Sequence, residues 1–267
     1  MSTPLATRPL GAGTPATPSS WPRMAVALAA HELRLVLRRG EGLLVSFVIP
    51  AGVLLVFSGL DPAGDSGSGA DAPVDRLLPG AIALAVIATS LVSLAISTGY
   101  ERAYGVLKRL GGSPAGTSVV VAAKTASVLL VEAVQLLLLI GIAAGMLGFR
   151  AGPTASLPVL LAALLLGTVA FAGLGLLMAG TLRAEASLAL ANLLFLVCLV
   201  LGGIVLPLDR LPPPVAAVAS VLPPAALTES VAIGLGTMAA DATGPMAILA
   251  GWAIVLAVLA ARRFRWD

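Results

Sequence analysis

The residues that could do chemistry are few, and most of them stand alone. The 267-residue chain holds one histidine, His31, one cysteine, Cys198, and 13 carboxylates. A metal site draws on clustered His, Cys or acidic residues. Here Cys198 lies in an apolar run and His31 in a basic segment, so no metal ligand is assigned. A hydrolytic or transfer centre needs a nucleophile beside a base, or paired carboxylates. The long apolar stretches contain a single acid, Glu132, and no catalytic residue is assigned. A phosphate-cradling loop requires Gly-Lys followed by Ser or Thr. The only lysines, Lys108 and Lys124, follow Leu107 and Ala123, so the chain does not hydrolyse ATP by that route.

Glu132 is nevertheless informative. Counted from Val121 at 1.5 Å per residue, it lies roughly 16 Å along a helix, near mid-membrane depth. An acid at that depth is costly and marks a functional position by default. Gln135, three residues on, shares its face. Lys124 is about 12 Å away along the axis, too far to be a direct partner. Two roles fit: Glu132, protonated or hydrogen-bonded, ties its helix to a neighbour, or it contacts a substrate or gates its path. Asn192, in a later apolar stretch, is expected to bond between helices or to line a path.

These residues must be held by membrane helices. The composition is 58% hydrophobic and 11% charged, with a mean hydropathy of +1.03. Soluble domains are about half apolar and about a quarter charged. A helix needs about 20 residues to cross about 30 Å of hydrocarbon. Six stretches qualify or nearly so: Leu43–Leu60, Leu77–Gly99, Thr117–Phe149, Leu157–Leu182, Ser187–Leu208 and Pro245–Ala261. The expected fold is an all-α integral membrane protein of six transmembrane helices. In the fourth stretch, Gly167, Phe171, Gly173, Gly175, Ala179 and Gly180 permit close helix approach within the subunit.

A seventh apolar stretch, residues 211–236, carries Pro212, Pro213, Pro214, Pro223 and Pro224. Two proline clusters forbid one continuous helix. Two short pieces that enter and return on the same side are expected, with Glu229 on the outer side as a shaper of the exit path or a solvated acid.

Orientation follows from the basic residues. With the N-terminus inside, cytoplasmic segments hold Arg8, Arg23, Arg34, Arg38, Arg39, Arg102, Lys108, Arg109, Arg183, Arg262, Arg263 and Arg265, twelve of the sixteen Lys and Arg. The outer loops hold Arg76, Arg150 and Arg210, and Lys124 snorkels inward from the start of the third helix. Both termini are placed in the cytoplasm. Residues 1–20, rich in Pro, Thr, Ser, Ala and Gly, read as a disordered cytoplasmic tail. Residues 21–267 form one domain.

Two cytoplasmic segments stand out. Residues 21–40 form a basic amphipathic helix, with Glu32, Arg34, Arg38 and Arg39 on its polar side, suited to the headgroup plane. Residues 100–114, Tyr-Glu-Arg-Ala-Tyr-Gly-Val-Leu-Lys-Arg-Leu-Gly-Gly-Ser-Pro, form a short charged helical segment stopped by Gly-Gly-Ser-Pro.

The order Glu101-Arg102, then Gly105-x-Leu107-Lys108-Arg109-Leu110, then Ser113-Pro114, resembles the coupling-helix signature of ABC exporter permeases of the type-2 class. That class includes drug and antibiotic-resistance permeases and polysaccharide or lipid exporters. The resemblance covers nearly the whole chain after residue 21. The N-terminal helix is similar to the connecting helix of the class. Gly202-Gly203, Pro207, Leu211-Pro212 and Leu222-Pro223 are similar to its fifth helix and re-entrant hairpin. Gly111-Gly112 departs from it, standing where many relatives carry a basic or polar residue.

The resemblance implies a permease in the bacterial cytoplasmic membrane, paired with a second permease, identical or different, and docked on separate ATP-binding subunits. ATP and Mg would be held by those partners and no cofactor by this chain; lipid is a partner and nucleic acid is not. Closure of the ATPases would push on residues 101–110 and on the N-terminal helix, exposing a path alternately to each side. Two alternatives compete. A secondary transporter would show inverted repeats and several intramembrane ionisable groups, and only Glu132 qualifies. An intramembrane lipid-modifying enzyme or protease would need the clustered residues that are missing here.

Overall fold

A computed structural model describes residues 20–38, 40–60, 73–111, 116–204 and 207–264. Among them every regular element is helical. In chain order these are α1 (Trp21–Arg38), α2 (Gly40–Leu60), α3 (Pro73–Ile87), a π-helical turn (Ala88–Ser93), α4 (Leu94–Ala103), α5 (Val106–Gly111), α6 (Gly116–Met146), α7 (Leu157–Thr181), α8 (Ala184–Leu201), a 3₁₀ turn (Leu208–Arg210), α9 (Pro213–Ser220), α10 (Pro223–Leu235) and α11 (Thr243–Arg263). Five stretches are long and apolar enough to cross a bilayer: Pro73–Ala103, Ala123–Met146, Leu157–Thr181, Ala184–Leu201 and Thr243–Arg263. Within α2 the apolar part is Ser46–Gly59, and α9 with α10 forms a further apolar pair bent by 73°. Helices suit such sequences because lipid offers no partner to an open backbone N–H or C=O.

Contacts between named residues give the helix directions. Ideal Cβ atoms built on Gly173 and Gly180 of α7 meet Leu256 and Phe264 within 3 Å, so α7 and α11 run parallel. Gly175 meets the Leu91 carbonyl at 2.9 Å, and Arg102 reaches Gly180, so α7 also runs parallel to α3–α4. Gly99 lies against Ala184 and Gly80 against Ile204, which sets α8 antiparallel to them. Three of the glycines read as close-packing positions therefore admit different neighbours: α10 at Gly167, α11 at Gly173 and the π turn at Gly175. A methyl group at any of them would meet atoms at about 3 Å or closer.

The span that starts at Pro73 is the centre of the bundle, with 83% of its apolar window buried, whereas α8 is covered along one strip and only 22% buried. The large side chains exposed on α8, among them Leu193, Leu196 and Val200, fit a lipid or protein surround rather than water. The fifth helix ends at Leu201, not at Leu208 as expected. Gly202 closes the last turn on Cys198, and Gly203 takes φ +66°, a left-handed conformation in which glycine ends a helix without strain.

The proline-rich segment divides as its sequence dictates. Pro213-Pro214 and Pro223-Pro224 occupy the first turns of α9 and α10, where a missing N–H costs nothing. Leu227 packs on Gly167 and Gly234 on Leu160, so α10 runs antiparallel to α7. Its far end is stitched to the loop before α7: Gly152 N–H donates to the Leu235 carbonyl at 3.1 Å, and Ser156 N–H to that of Gly234 at 2.9 Å. The α9–α10 corner is held by Trp252, whose Nε1–H donates to the Val221 carbonyl at 2.9 Å. Trp252 lies about 14 Å along α11, so the corner sits level with the middle of that helix.

Candidate functional site

One end of the bundle gathers the charged residues of the predicted coupling segment. Glu101 and Arg102 lie in the last turn of α4 rather than in a loop, about 100° apart around its axis. They therefore reach different neighbours. Glu101 pairs with Lys124 of α6 at 2.7 Å, the two side chains being 12% and 5% exposed. Arg102 donates from Nη1 to the Gly180 carbonyl at 2.6 Å and from Nη2 to that of Leu182 at 2.5 Å. These carbonyls, at the C-terminus of α7, carry the negative end of its dipole and have no intrahelical donor. Lys124, expected to snorkel toward water, is instead buried in this pair.

Beyond Ala103 the chain turns at Tyr104-Gly105. Gly105 has φ +69°, a conformation that costs other residues about 1 kcal/mol or more. Helix α5 follows, anchored by Leu107 at 1% exposure, while Lys108 and Arg109 are exposed, as is Tyr104, stacked on Tyr100. The segment is thus two pieces, an inward-facing brace and an outward-facing short helix, instead of the single helical segment expected. Ser113, Pro114 and Arg39 lie outside the described residues, as do the side chains of Leu110, Glu32 and Arg38 and nearly all of the expected tail.

Helix α1 packs along α6, where the Ser127 hydroxyl is shared between the Ala123 carbonyl of its own helix at 2.9 Å and the Ala29 carbonyl of α1 at 3.2 Å. Lys124 and Ser127, three residues apart on α6, thus serve α4 and α1 respectively. Arg34 and His31 are exposed.

A second cluster lies deeper along α6. Glu132 and Gln135 are both buried, at 7% and 2% exposure, and the two residues serve different helices. Glu132 Oε2 is 2.5 Å from Thr168 Oγ1 of α7. Gln135 Oε1 accepts from Thr89 Oγ1 in the π turn at 3.0 Å, and its Nε2 donates to the Ser46 carbonyl of α2 at 3.1 Å. A shallow recess beside Gln135, lined by Phe47, Pro50, Ala85 and Leu138 among others, has no room for a small molecule.

The remaining expected residues scatter. Asn192 is exposed on α8 and donates to Leu188 of its own helix at 2.9 Å, not to another helix. Pro207 precedes the 3₁₀ turn, Pro212 caps α9 and Pro223 opens α10; Glu229 is the exposed residue of an otherwise buried helix. Asp241, just before α11, is held below the usual carboxylate range by hydrogen bonds from the Thr243 hydroxyl and backbone N–H.

Sequence reasoning missed Thr168, Thr89, Ser46 and the Glu101–Lys124 pair. A signal existed for Thr168, since it and Thr181 are the only hydroxyl-bearing residues among the 25 of α7. For the π turn there was none.

The bundle of long apolar helices, with charges gathered at its ends, defines a multi-pass membrane protein. The model of the ABC-2 type transporter family matches residues 25–235, well over half of the chain, and the protein belongs to that family. It is accordingly the membrane permease component of an ABC transporter, a class whose members work with an ABC ATP-binding partner. No curated protein matches the chain.

Proposed function

We propose that this chain is the permease subunit of an ATP-driven exporter in the bacterial cytoplasmic membrane, with both termini in the cytoplasm. Its six spans are α2, α3–α4, α6, α7, α8 and α11, and the α9–α10 pair is a re-entrant hairpin entered from the outer side. ATP and Mg are bound by a separate ABC ATP-binding subunit. A second permease subunit completes the substrate path, and α1 lies in the lipid headgroup plane as the connecting helix.

One observation carries this reading. The brace formed by Glu101 and Arg102 ties the end of α4 to α6 and α7 together. Helix α5, which follows α4 after one turn and is anchored by Leu107, turns Lys108 and Arg109 away from the protein. A push on α5 is thereby delivered to three spans at once, as near-rigid-body motion requires. The twelve-to-three division of basic residues supports the orientation, since this end carries most of them.

The test is co-purification with the candidate ATP-binding subunit. Lys108→Glu with Arg109→Glu changes exposed residues, so the membrane part stays folded, within about 0.5 kcal/mol of wild type. Association with the ATPase and substrate-stimulated ATP hydrolysis are lost. Normal co-purification by this variant would sink the docking role of α5.

A further inference from the structure

We infer that Glu132 stands in the bundle as the neutral acid and donates its proton to Thr168 Oγ1, so that the two residues form a hydrogen-bond relay ending on the Leu164 carbonyl. The argument is a count of protons. Thr168 Oγ1 is 2.5 Å from Glu132 Oε2 and 2.8 Å from the carbonyl oxygen of Leu164. A hydroxyl carries one proton. Were Glu132 ionised, both neighbours would be acceptors only, and one of these two close oxygen–oxygen contacts would contain no proton. With the carboxyl protonated, both are filled. Glu132 O–H donates to Thr168 Oγ1, and Thr168 O–H donates to Leu164.

The other carboxyl oxygen points the same way. Glu132 Oε1 is buried and makes no hydrogen bond to a described residue. Half of an ionised carboxylate would then face apolar surroundings, at far greater cost than the bare carbonyl of a neutral acid. Among the described residues of the adjoining helices no cation is placed against it, and Arg23 and Arg34 of α1 are exposed. Helix α7 has no ionisable residue. Lys124, eight residues before Glu132 and about 12 Å along the axis, is committed to Glu101. From the central span the nearby polar group is Thr89, already given to Gln135, and Asp75 and Arg76 lie at the other end of that helix.

Glu132 is therefore a positioning residue, a neutral tie between the third and fourth spans rather than a fixed charge for a substrate or a coupling ion. The inference rests on these distances and not on the exporter reading.

Infrared difference spectroscopy on the full chain in lipid vesicles at neutral pH decides it, because replacing Glu132 must remove one kind of band or the other. Wild type minus Glu132→Gln is expected to show the carbonyl stretch of a carboxylic acid; loss of carboxylate bands instead overturns the proposal. In Thr168→Val the acid band moves to higher wavenumber as its acceptor disappears, and an unmoved band removes Thr168 from the relay. Thermal unfolding gives a second readout. Glu132→Gln, whose amide N–H replaces the acid proton, keeps a midpoint near that of wild type, while Glu132→Val falls by several degrees. A Gln variant that falls as far as Val contradicts the donor role.

Discussion

The two polar clusters beside α6 do the same work, joining neighbouring helices, with opposite chemistry. At the end near α5 the links are ionic: Glu101 with Lys124, and the Arg102 guanidinium on the carbonyls closing α7. Toward the middle they are hydrogen bonds: the Thr89 hydroxyl and the Ser46 carbonyl with the Gln135 amide, and the Thr168 hydroxyl with the Glu132 carboxyl. The difference follows from depth. Near a helix end a charge can keep some contact with headgroups and water, and a pair there is strong yet affordable. At the bilayer centre an ionised side chain costs about 2.5 kcal/mol or more, so neutral groups take over. What the contrast teaches is a division of labour. The charged links sit at the end that, on the proposed reading, meets the ATP-binding subunit, and the weaker links lie toward the middle of the bundle.

Three substitutions put numbers on that contrast. Lys124→Ala removes the ammonium facing Glu101 and is expected to cost about 3 kcal/mol, the scale for breaking a buried pair. Adding Glu101→Ala should restore part of the loss in thermal or denaturant unfolding of the purified protein. Strictly additive losses would show that the pair is not a unit. Arg102→Leu leaves the C-terminus of α7 without its donors, at about 1.5–3 kcal/mol. Proteolysis or hydrogen exchange there should increase near Gly180 before other spans respond. Gln135→Leu should cost least, about 1 kcal/mol, since hydrogen bonds between membrane helices average about 0.6 kcal/mol each. If it proves as damaging as Lys124→Ala, the graded picture fails.

Much of the fold was legible before any coordinates. Five of the expected stretches appear as long apolar helices, all but α8 near their expected limits, α2 covers the first, and the proline clusters sit at the starts of α9 and α10. The candidate site was legible only in part. Glu132 and Gln135 stood out because polar groups in an apolar run are conspicuous. Their partners did not, because Thr168 and Thr89 are common residues whose meaning depends on which way each helix is turned. Lys124 was misjudged for the same reason. Twenty-three positions separate it from Glu101, and only the antiparallel return of α6 brings them to 2.7 Å. The end of α8 was placed seven residues too far, since hydropathy continues past Gly202-Gly203 while the backbone does not.

Hydropathy, proline placement and the positions of charges are local properties, and lipid makes local properties decisive by requiring each spanning segment to satisfy its own backbone. They settled that this is a helical membrane protein, where its helices run and which residues are costly to bury. The pairings were decided elsewhere. Rotation and tilt of a membrane helix are set by packing against its neighbours. Gly167, Gly173 and Gly175 let α10, α11 and the π turn approach α7 from three directions. Only that assembled arrangement turns Glu101 toward Lys124, Arg102 toward the end of α7 and Glu132 toward Thr168.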